Sequence, residues 1–146
     1  MDEFWDRMRV RCVDTAQVNV AGEIVFYDVI RADFEPALPN FVGVVDPEQW
    51  SYYISEETPE AYRPVIVAHE HRCAQRRRIG RSGYCKCALS EEIHDLPESI
   101  DPQEYMRFRR IFFEGLVAFY TTRPETDKAF LAELTASRDY LREHFM

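Results

Sequence analysis

Residues 58–78 read Thr58-Pro59-Glu60-Ala61-Tyr62-Arg63-Pro64-Val65-Ile66-Val67-Ala68-His69-Glu70-His71-Arg72-Cys73-Ala74-Gln75-Arg76-Arg77-Arg78. A hydroxyl residue, then Pro, then an acid is a helix-start pattern, because Pro fits only where no backbone N–H is needed. Pro64 must therefore kink this helix or restart it. The helix is predicted to run to about Arg78, where Gly80 and Gly83 break the chain.

Upstream of this stretch the pattern is that of strands. Val18–Val20 and Ile24–Val29 are rich in β-branched and aromatic residues, with Ala21-Gly22-Glu23 between them as a hairpin turn. Phe41–Val45 and Trp50–Ser55 are further strand candidates, separated by the breaker Asp46-Pro47. A short helix is expected over Asp2–Met8. Downstream, helices are expected over Tyr84–Leu96, from Asp101-Pro102 to about Thr122, and from Thr126 to the end. The last of these carries Phe130, Leu134, Leu141 and Phe145 on one face. The prediction is an α+β fold: a small antiparallel or mixed sheet followed by about four helices. With no repeat or Gly/Ser linker, 1–146 is read as a single domain, with a β-rich half over 1–57 and a helical half over 58–146.

Composition narrows the function classes. At 146 residues and 46% hydrophobic, the chain can bury a core. No apolar run approaches the ~18 residues of a membrane span, so no membrane partner is expected. Asp2, Glu3 and Asp6 argue against a secretory signal. The four cysteines are read as reduced thiols of a cytoplasmic protein, available for metal or redox chemistry. The net charge of −8 is concentrated in residues 1–58, with 12 acids against 4 bases. Such a surface repels phosphates and disfavours nucleic acid. A protein or peptide partner fits better, and a homodimer is compatible.

Helical projection at about 100° per residue sorts the side chains. Tyr62, Val65, Ile66, His69 and Cys73 share one arc, with Glu70 at its edge and His71 on the opposite, outward side. On the next helix Cys85, Leu89, Glu92, Ile93 and Leu96 share a face. A carboxylate inside that stripe needs a metal, an Arg or its own proton. Arg109 falls within the aromatic face of Tyr105, Phe112, Phe113, Leu116 and Tyr120, so it should meet a carboxylate, Glu92 or Glu70.

The stretch Val65–Cys73 resembles the active-site helix of zincin metallopeptidases, whose motif is His-Glu-x-x-His. Its context is similar to small zincins that cleave phage repressors or respond to DNA damage. In those a strand leads through an acidic or Pro-containing turn into the helix, as Trp50–Ile54 and Ser55-Glu56-Glu57-Thr58-Pro59 do here. The resemblance covers about residues 50–96. It implies His69, Cys73 and Glu92 as zinc ligands, with Glu92 supplying the third ligand from a later helix. Glu70 becomes the general base toward a metal-bound water. Cys73 stands where the second His belongs. Thiolate binds zinc but donates more charge than imidazole, which makes a poorer Lewis acid.

The favoured reading is therefore a divergent zincin-like domain acting as a non-catalytic binding or regulatory module, with Arg109 neutralising Glu92 or Glu70 and no metal bound. The alternative is a zinc-dependent peptidase or hydrolase. Glu70 would then activate water, and Arg109 would stabilise an oxyanion or orient Glu92. A further alternative is a structural zinc site drawn from His69, His71, Cys73, Cys85 and Cys87. The arginines 72, 76, 77, 78 and 81 offer a phosphate-binding or acidic-peptide patch, or simply a solvated helix end.

Overall fold

The computed structural model describes residues 8–34, 43–46, 51–123 and 126–144. Strands β1 (Met8–Val20), β2 (Glu23–Phe34), β3 (Gly43–Asp46) and β4 (Ser51–Ser55) come first. Helices α1 (Arg63–Arg78), α2 (Tyr84–His94), α3 (Pro102–Thr121) and α4 (Lys128–His144) follow. This is the α+β order that the sequence predicts. The sheet runs β1-β2-β4-β3 and is mixed. β1 and β2 form an antiparallel hairpin, β4 lies parallel to β2, and β3 lies antiparallel to β4.

The hairpin strands are longer than expected. Ala16, Val18 and Val20 alternate inward with Val25, Tyr27 and Val29, while Thr15, Gln17, Asn19 and Glu23 stand exposed. Such alternation is the mark of a half-buried sheet. The turn is Ala21-Gly22 alone, because Glu23 already pairs with Val20. Both turn residues have positive φ, 51° and 88°, the handedness that matches strand twist. The Asn19 side-chain oxygen accepts the Gly22 N–H at 2.8 Å. The register shifts between Cys12 and Asp14, leaving Val13 as an extra residue. Ile24 and Phe26 remain 48% and 70% exposed.

β4 carries the buried Tyr52 and Ile54 into the sheet centre. The chain then turns, with the Thr58 N–H donating to the Ser55 carbonyl at 3.0 Å. A single 3-10 turn over Glu60–Tyr62 follows Pro59, and α1 begins afresh with Pro64 in its first turn. Pro64 thus restarts the helix, as its missing N–H requires. α1 packs on the sheet and on α2, while α4 packs on both α2 and α3. Being covered on two sides, α1 buries Ile66, Val67, His69, His71 and Ala74, so it has no single wet face. This corrects the expectation that His71 points outward: the side opposite His69 faces the sheet rather than water. α2 ends at His94, before the expected Leu96. The helix expected over Asp2–Met8 lies outside the described residues except for Met8, which opens β1, and Phe145 also lies outside them. No described helix is long and apolar enough to cross a membrane.

Candidate metal centre

Helical spacing sets His69 and Cys73 one turn apart on the side of α1 that faces away from the sheet. The third group comes from the start of α2. Gly83 adopts a left-handed φ of 70° just before this helix, and Cys85 lies in its first turn. The Glu133 carboxylate on α4 accepts the Gly83 and Cys85 N–H groups at 3.0 and 3.2 Å, satisfying donors that a helix start leaves open. One carboxylate thereby holds the turn that carries Cys85. A nitrogen of His69 and the Sγ atoms of Cys73 and Cys85 all lie within 4.8 Å of one another, a group able to hold a metal ion. His69 Nε2 is 3.8 Å from Cys85 Sγ. His69 and Cys85 are only 2% and 5% exposed, whereas Cys73 is half-buried.

Behind the ring lies a second layer. His69 Nδ1 is 2.8 Å from Glu92 Oε1, so the imidazole is gripped by a carboxylate on the side away from the sulfurs. Glu92 also accepts the Tyr105 hydroxyl and an Arg109 Nη2 hydrogen bond at 3.3 Å, with Arg109 Nε 2.9 Å from its other oxygen. The Arg109 guanidinium rests 5.1 and 4.9 Å from the Phe112 and Phe113 ring centres. A carboxylate behind a metal-ligating His is the usual means of fixing its tautomer and orientation. Glu92 thus stands behind His69, outside the group of three donors, whose third member is Cys85. Arg109 meets Glu92 through the same oxygens.

Electrostatics follow from burial and pairing. Burial opposes charge on His69, but Glu92 and Cys85 outweigh it and lift the imidazole to about 10. The hydrogen bond from Cys73 and the charge of His69 hold the Cys85 thiol well below its usual value against burial. Cys73 is correspondingly raised by that hydrogen bond and by burial. Burial raises Glu92, yet Arg109 and His69 bring it below the usual carboxylate range. Glu70, half-buried next to His69 in sequence, is pushed up to about 7 by burial despite the pull of His69 and Arg109. The centre thus sets His69 beside Cys85 on one side and beside the Glu92–Arg109 ion pair on the other.

Other candidates lie elsewhere. His71 is buried against the sheet, its Nδ1 2.6 Å from the Tyr52 hydroxyl and its Nε2 3.0 Å from Glu23. Cys87 is half-buried and outside the donor cluster. Arg76 hydrogen-bonds to Glu91, and Arg72 lies 3.8 Å from Glu91 and 3.6 Å from Asp95, so acids balance Arg72 and Arg76. Comparison of the chain with protein-family models, curated proteins and solved structures finds no match.

Proposed function

We propose that this chain is a zinc-binding module on a divergent zincin-like scaffold, binding or regulatory rather than catalytic. Zinc would be held by His69 Nε2, Cys73 Sγ and Cys85 Sγ. The convergence of these three donors within 4.8 Å, with a carboxylate behind the imidazole, carries the reading. Thiolate and imidazole are zinc's preferred ligands. Charge balance also supports the metal. Two thiolates offset Zn2+, Glu92 offsets Arg109, and the buried cluster becomes neutral, which limits the cost of burying ions. Two sulfurs lower the Lewis acidity of the metal, and the three donors leave a fourth position for water or for a group of the partner. The module would work in the reducing cytoplasm on a protein or peptide partner.

Elemental analysis of protein purified without chelator tests this. About one zinc per chain is expected, lost in His69→Ala and Cys85→Ser but kept in Cys12→Ser and Cys87→Ser. Glu92→Gln should retain zinc with affinity reduced about 10–100-fold. Protein that takes up no zinc on incubation removes the reading.

One observation favours a hydrolase instead. Glu70 directly follows His69, and burial holds its carboxyl near 7, a value suited to a general base. Zinc-loaded protein that cleaves peptides, and stops doing so in Glu70→Gln without losing zinc, would establish that activity.

A further inference from the structure

We propose that Cys73 and Cys85 form a disulfide on exposure to a hydroperoxide, making this pair a site of oxidative modification that joins α1 to α2. The inference builds on the metal reading, because the same two sulfurs are its ligands, but it needs only their proximity. Both cysteines are free thiols and their sulfurs lie within 4.8 Å of each other. Helices α1 and α2 pack directly together, so the bond would join two elements already in contact.

Their surroundings assign different tasks to the two sulfurs. Cys85 lies in the first turn of α2, with His69 Nε2 3.8 Å from its sulfur. An imidazole this close can take up the proton of the attacking sulfur. Cys73 is half-buried and Cys85 only 5% exposed, so the Cys73 side of the centre is the one nearer solvent. The Cys85 thiolate attacks the terminal peroxide oxygen. The O–O bond breaks, an alcohol or water leaves after protonation, and Cys85 becomes a sulfenic acid. The Cys73 sulfur then attacks that sulfenic sulfur, the S–O bond breaks, and water departs with the thiol proton. In total, two thiols and one hydroperoxide give one disulfide, one water and one alcohol (a second water when the oxidant is hydrogen peroxide).

Cys12 and Cys87 serve as internal controls. Cys12 is exposed and Cys87 half-buried, and neither belongs to the donor cluster. Oxidation by general accessibility would strike Cys12 first, whereas oxidation directed by the centre would leave it intact.

The test treats the full chain, first stripped of metal, with a small excess of hydrogen peroxide. Remaining thiols are counted by maleimide labelling after denaturation, and cross-links are located by peptide mapping. The expected result is a fall from four labelled thiols to two, with a Cys73–Cys85 linked peptide that dithiothreitol releases. In Cys73→Ser no internal cross-link should form, and a sulfenic-acid trap should label Cys85 instead. Mapping of the unsubstituted chain decides the matter if that variant fails to fold. Four retained thiols, or loss confined to Cys12 and Cys87, would overturn the proposal. A parallel sample preloaded with zinc separates the two ideas. Slower oxidation with zinc supports both. Disulfide formation with no zinc uptake keeps this inference and rejects the metal reading. Zinc uptake with no disulfide in the stripped protein does the reverse.

Discussion

Arg109 cannot shed its charge and is fully buried, so its neighbours must answer for it. Glu92 does so, and is held in turn by Tyr105 and His69. Arg109→Ala would remove the guanidinium half of a buried ion pair and should cost about 3–5 kcal/mol in a denaturant titration. A near-unchanged midpoint would mean that the pair does not matter to the folded state. Glu70 gives a pH test. Its carboxyl is raised from 4.5 to about 7, so the metal-free folded protein holds this proton more tightly than the unfolded chain. Its contribution is fully present below about 4.5 and is lost as pH rises to about 7. Relative to Glu70→Gln, the melting temperature of the unsubstituted protein should therefore fall across that window, and a constant difference would contradict the shift. Much of this site was legible residue by residue. The 100° projection put His69, Cys73, Cys85, Glu92 and Arg109 on inward faces. It could not say which inward groups meet, because that depends on the seating of α2 against α1. It also misjudged His71, since a projection assumes one wet face and α1 has none there.

Elements carry their own constraints. The start of α2 rests on Glu133, which reaches from α4 to two backbone N–H groups. Glu133→Ala should cost about 1–2 kcal/mol by removing charge-assisted bonds to a helix start. It should also weaken zinc binding, because Cys85 shares that turn, so a paired melt and zinc titration checks both effects. The β1–β2 turn stores strain at Ala21, whose φ of 51° suits glycine or asparagine better than alanine. Ala21→Gly should raise stability by about 1 kcal/mol, read as a higher melting temperature. Element types were legible from composition and from Pro and Gly punctuation. Strand lengths were less so. β1 extends back to Met8 through Arg9, Arg11 and Asp14, polar residues that weaken the apolar signal of a strand.

At the scale of the whole molecule, the centre stands where three helices meet. His69 and Cys73 belong to α1, Cys85 and Glu92 to α2, and Arg109 and Tyr105 to α3. A metal bound there ties α1 to α2 while the Glu92 layer extends the link to α3. Zinc at about 100 times its Kd should add about 2.7 kcal/mol of stability if only the folded chain binds it. The net charge of −8 is a property of the same scale, and it favours attraction of the cation by long-range potential. The most direct test of the central claim is X-ray absorption at the zinc edge on the zinc-loaded full chain. Two sulfur neighbours at about 2.3 Å and at least one imidazole nitrogen near 2.0 Å are predicted, with one sulfur lost in Cys85→Ser. A shell of oxygen and nitrogen alone, unchanged in that variant, would contradict the account.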